Sequence, residues 1–169
     1  TRKILRLVQN SLLRNDRHVV FETLNLAQDL AILLQTKFVP HLLKLLDPLL
    51  WCLQKDAELL DPVLRSLSRE NSTLDQTTIQ DCILWKLQTL PVLLQCAEPH
   101  VLNLVLPPLV QMVKQDSLPC QVRVVVVLTI SRLNRMFDLS EWTSLVLPPL
   151  CHVVSSLPSD AVPAMLRNS

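Results

Sequence analysis

The chain has 169 residues, a formal net charge of +1 and 49% apolar residues, 39 of them leucine and none glycine. That length suits one compact domain or a short run of repeats, and so apolar a chain has ample material for a core. The near-neutral charge gives no electrostatic case for binding nucleic acid. The missing glycine excludes a Walker A loop, a dinucleotide fingerprint and a Gly-x-Ser-x-Gly elbow.

Apolar residues recur at helical spacing along most of the chain, which predicts about seven or eight helices and an all-α fold. Ile4, Leu5, Val8 and Leu12 line one face of a first helix ending near Arg14. Asn15 and Asp16 are good caps, and a second helix is expected from about His18 to Gln35. Pro40 suits the first turn of a third helix reaching about Gln54, because a first-turn amide has no partner to lose. Pro48 should bend that helix. Residues 56–76 read as an irregular polar insertion. In it Ala57–Ser66 is a candidate short helix and Ser68–Thr73 a loop. A strong helix follows over Gln76–Gln95, with a kink or break expected at Pro91.

Three further helical segments are expected over Pro99–Gln115, Pro119–Phe137 and Ser140–Ser156, and Pro158–Leu166 resembles the start of another. Val124–Val127 favours a strand by propensity. The run bracketed by Gln121, Arg123, Arg132 and Arg135 is longer than an ordinary strand, and helix is the expectation. Leu104–Leu109 and Leu145–Leu150 are both Leu-Val-Leu-Pro-Pro-Leu, 41 residues apart. Each proline pair removes two backbone donors and should kink its helix at the same point. A period near 40 residues in a leucine-rich helical pattern is a signature of stacked helical hairpins.

These features resemble HEAT repeats, with armadillo repeats the nearest relative. The proline-bearing helices at Leu104–Leu109 and Leu145–Leu150 correspond to the kinked first helix of a hairpin. Asp116 followed by Val122-Arg123 resembles the Asp-then-Val-Arg signature of the second helix, and Asp16-Arg17-His18-Val19 is a looser version. The likeness is clearest over residues 98–157 and weaker over 1–55. It implies an α-solenoid of about four antiparallel hairpins, a single repeat region over 1–169 belonging to a longer chain. It also implies a scaffold that binds proteins along an extended surface, with no enzymatic activity.

No residue pattern suggests a catalytic centre, a cofactor or a metal. His18, His41, His100 and His152 make no zinc spacing, and the adjacent Cys151 and His152 point about 100° apart on a helix. Asp56, Glu58, Asp61, Glu70 and Asp75 read as carboxylates of a solvated loop. Five cysteines, an odd number without a Cys-x-x-Cys pair, indicate buried reduced thiols and an intracellular protein, cytoplasmic or nuclear. The sequon at Asn71-Ser72-Thr73 is a chance match in that setting. No signal peptide is evident, and no apolar run reaches the roughly 18–20 residues that span a membrane. Leu-x-x-Leu-Leu occurs four times, at Leu30, Leu42, Leu46 and Leu90, and is expected to pack in the core.

The candidate protein-binding residues are Arg123, Arg132, Asn134, Arg135 and Trp142. Arginine forks suit carboxylates, and tryptophan is frequent at binding hot spots. Trp51 and Trp85 are expected in the core. The partner expected is a protein, through an acidic or helical segment, with no small molecule. Two other functions fit the same composition. One is a regulatory helical region of a large enzyme such as a kinase. The other is a nucleic-acid-binding solenoid, which the charge balance disfavours.

Overall fold

The computed structural model describes residues 2–14, 17–61 and 76–156. They form seven α-helices: α1 (Arg2–Arg14), α2 (Arg17–Leu34), α3 (Val39–Leu60), α4 (Gln76–Leu94), α5 (Leu102–Lys114), α6 (Cys120–Met136) and α7 (Thr143–Ser156). No strand occurs among the described residues. The expected caps Asn15 and Asp16, the loop Ser68–Thr73 and the segment Pro158–Leu166 lie outside them.

Short 3-10 turns at Gln35–Phe38, Pro99–Val101 and Ser140–Trp142 lead into α3, α5 and α7. Pro40 sits in the first turn of α3, where its missing amide hydrogen costs nothing. With no glycine available, Gln35 supplies the left-handed residue that ends α2, at φ 45°. The valine run is helical: Val124 and Val126 are buried in α6 between the partly buried Val125 and Val127.

Two boundaries differ from the sequence expectation. Helix α3 runs through Gln54 to Leu60, so residues 56–60 belong to a regular helix and not to the polar insertion. Helix α4 continues past Pro91 to Leu94 without a break. A proline at 91 leaves the Leu87 carbonyl without its in-helix donor. The Thr129 hydroxyl from α6 lies 3.5 Å from that carbonyl and 2.8 Å from Val125 O, so a donor from the neighbouring helix stands beside the orphaned group. Pro48, Pro107-Pro108 and Pro148-Pro149 are likewise inside continuous helices.

The packing alternates. The odd helices contact one another in order, α1 with α3, α3 with α5 and α5 with α7. The even helices do the same, α2 with α4 and α4 with α6, and each odd helix also packs on the even helix that follows it. One apolar core runs between these two rows, from Val8 and Leu12 in α1 to Val146 and Val153 in α7. Fully burying a leucine contributes about 1.5–3 kcal/mol, and the core is built mainly of leucine and valine. Polar contacts fix the rows in register. Gln28 Nε2 donates to Thr89 Oγ1 at 2.7 Å between α2 and α4. Gln115 and Ser117, just after α5, donate to Asp61 at the end of α3 at 3.1 and 2.6 Å.

Candidate functional site

The five predicted binding residues do not converge. Arg132 and Arg135 are exposed near the C-terminal end of α6. Three residues apart, they share a helix face, and Arg135 also complements the negative end of the helix dipole in its last turn. Asn134 is exposed on another side. It lines a groove of about 310 Å3 between α6 and α7, with Ile130, Leu147 and Leu150. Arg123 lies nine residues before Arg132, about 180° around the helix. It is largely buried, and its Nη1 pairs with Asp116 Oδ1 at 2.8 Å. Its Nε is buried without a hydrogen-bond acceptor. Arg123 therefore ties the start of α6 to the preceding loop. Trp142 is half-buried against the core, and its indole Nε1 donates to Asn103 Oδ1 at 3.1 Å.

Among the tryptophans, Trp85 is partly buried and stacks on Phe21 with centroids 4.3 Å apart. Trp51, expected in the core, is exposed on α3. Helix α3 turns Cys52 and Leu53 inward, which leaves the neighbouring position 51 at the surface.

Sequence reasoning missed one polar cluster in the core. Lys86 Nζ of α4 pairs with Asp56 Oδ2 of α3 at 2.6 Å, with side chains 2% and 1% exposed. The expectation of a solvated loop around Asp56 and Asp61 fails because both are buried at the end of α3. The Cys52 thiol donates to the Leu12 carbonyl at 2.8 Å. That carbonyl lies in the last turn of α1, where helical acceptors lack in-helix donors. Burial pushes the Cys52 thiol above its ordinary range, with Lys86 pulling it down and Asp56 pushing it up. The high pKa keeps the proton that this bond requires.

A buried Asp–Lys pair in a core this apolar costs desolvation and holds only with good geometry. Its position between α3 and α4 fixes how the two helices meet. The cysteines also depart from expectation. Only Cys52 is buried, Cys82 and Cys96 are half-buried, and Cys120 and Cys151 are exposed.

His18, His100 and His152 are exposed and His41 half-buried, and His100 lies 3.3 Å from Glu98. Among the described residues no group of three or more His, Cys, Asp or Glu side chains is placed to hold a metal, and no helix is long and apolar enough to cross a membrane. Comparison with protein-family models, characterised proteins and solved structures finds no match to this chain.

Proposed function

We propose that this chain is a non-enzymatic protein-interaction scaffold, a HEAT-like α-solenoid region serving as an adaptor in a larger intracellular complex. The observation that carries the reading is the alternating packing, in which helices two apart in the chain pack along each row and each odd helix packs on the even helix that follows it. Stacked hairpins bury their apolar faces only against neighbours, so the rows extend and leave long outer surfaces for partners. The 41-residue spacing of the two Leu-Val-Leu-Pro-Pro-Leu segments supports the same reading. Both segments lie in consecutive odd helices, α5 and α7.

The partner surface we assign is the exposed C-terminal half of α6, where Arg132 and Arg135 meet an acidic or helical segment of a partner protein. Arg123 and Trp142 act from behind, by holding the ends of α6 and α7 in place. The test is affinity purification with quantitative mass spectrometry, comparing the native chain with Arg132→Glu/Arg135→Glu. The reading predicts that proteins retained by the native chain are lost from the double variant while helicity is unchanged. Equal recovery by both would overturn the assignment of this surface.

A further inference from the structure

Helices α2, α4 and α6 run side by side in a register that their contacts fix. Phe21 of α2 stacks on Trp85 of α4, and Gln28 pairs with Thr89, 61 residues on. Between α4 and α6, Gln80 pairs with Gln121, and the Thr129 hydroxyl stands beside the Leu87 carbonyl, 41 and 42 residues apart. These offsets set residues of the three helices level with one another. Asp29 and Ile32 of α2, Val92 of α4, and Arg132 and Arg135 of α6 share one level, at the C-terminal end of α4.

Each even helix turns one side to the core and the opposite side outward. At about 100° per residue, Glu22, Asp29 and Ile32 fall opposite the buried Val20, Leu24 and Ala27 of α2. In α4, Trp85, Gln88 and Val92 fall opposite the buried Ile79, Ile83 and Leu90. In α6, Leu128, Arg132 and Arg135 lie within about 60° of one another, on the side away from the buried Val126 and Leu133. The outward sides form one surface with an apolar middle. Phe21 is 47% and Ile32 58% exposed, and Trp85, Val92 and Leu128 are half-buried. Its two edges carry opposite charge, Glu22 and Asp29 on α2 against Arg132 and Arg135 on α6, all exposed. None of these four makes an ion pair among the described residues. Helix axes pack roughly 8–10 Å apart, which separates the two edges by about 20 Å.

We infer that the three even helices carry one docking face for an amphipathic helix of a partner protein, basic at one end and acidic at the other. The helix crosses α2, α4 and α6. Its cations meet Glu22 and Asp29, its apolar side covers Phe21, Trp85, Ile32 and Val92, and its carboxylates meet Arg132 and Arg135. A helix arrives with its backbone hydrogen bonds already made, which suits a floor of aromatic and aliphatic side chains. About 14 residues of helix span the 20 Å between the edges. The opposite charges at the edges fix which way round the segment lies. This rests on the proposed partner surface at Arg132 and Arg135, and extends it by an apolar centre and a second, acidic edge.

Selection from a displayed library of random peptides of about 16 residues, roughly 24 Å as a helix, on the full 169-residue chain tests it. The enriched peptides should carry apolar residues at helical spacing between a basic end and an acidic end. Selection on Arg132→Glu/Arg135→Glu should turn the acidic end basic and leave the rest of the pattern. Selection on Glu22→Lys/Asp29→Lys should turn the basic end acidic. Ile32→Asp should weaken an enriched peptide at least tenfold by fluorescence anisotropy, with helicity unchanged because the side chain lies at the surface. Peptides that respond to Arg132→Glu/Arg135→Glu alone would overturn this inference and leave the proposed partner surface standing. Peptides that respond to none of the variants would overturn both. A library that yields no enriched peptide would overturn the inference as well.

Discussion

Leu106 and Leu147 are the third residues of identical six-residue segments, each followed by two prolines inside a continuous helix. The first is sealed between neighbouring helices, and the second stands largely in solvent. Local sequence accounts for the helix in both cases. Burial is decided by place in the rows, because a helix with neighbours on two sides covers a wider arc than a helix at the end. The same contrast governs charges. Lys86 and Asp56 are enclosed between α3 and α4, whereas Lys55 and Glu58, 3.0 Å apart on α3, are half exposed.

The charge contrast gives the largest expected effect. Lys86→Ala removes the cation from a buried carboxylate and should cost about 3–5 kcal/mol in chemical denaturation. Lys55→Ala should cost at most about 1 kcal/mol. Replacing both buried partners, with Lys86→Met and Asp56→Leu, should recover much of the loss. Comparable costs for the two lysine variants would break the distinction between interior and surface.

Next comes the leucine pair itself. Leu106→Ala should destabilise by about 2–5 kcal/mol, and Leu147→Ala by about 0.5 kcal/mol or less, measured at a concentration where the chain is monomeric.

The cysteines sharpen the contrast further. Cys120 and Cys151 should react with a thiol reagent in the folded protein, and Cys52 only on unfolding. The pKa of Cys52 is raised in the folded state. Its contribution to stability is therefore complete below the ordinary thiol pKa. Above it the unfolded chain ionises while the folded thiol keeps its proton, and the contribution is lost as pH rises through the folded value. Cys52→Ala should flatten that alkaline decline in a pH series of unfolding curves.

The smallest effect concerns Gln35. Its φ of 45° suits glycine, and Gln35→Gly should relieve the strain and stabilise by up to about 1 kcal/mol.

Much of the helical plan was legible in the sequence. Apolar spacing located α1, α2, α4 and α6 to within a residue or so, because a helix must repeat its buried side every 3.6 residues. The long valine run read as helix for the same reason. Pro91 misled, since a neighbouring hydroxyl beside an orphaned carbonyl is a tertiary fact. The buried ion pair left a signal that went unread. Asp56 continues the stripe of Leu42, Leu46, Leu49 and Leu53, and Lys86 continues that of Ile79, Ile83 and Leu90. A charge on an apolar stripe implies a partner across the core. The scattering of the candidate binding residues was also within reach, because nine residues of helix turn Arg123 away from Arg132. Trp51 and the exposure of Cys120 and Cys151 were out of reach, because they depend on which faces find neighbours.

The most direct test of the account is the accessibility of the two leucine segments in one experiment. Leucine-methyl NMR of the monomeric chain with a soluble paramagnetic agent reads it for each residue. The structure predicts strong broadening of Leu147 and Leu33 methyl signals, with Leu106 and Leu109 spared. Equal broadening at Leu106 and Leu147 would contradict the placement of one segment inside the rows and the other at their end.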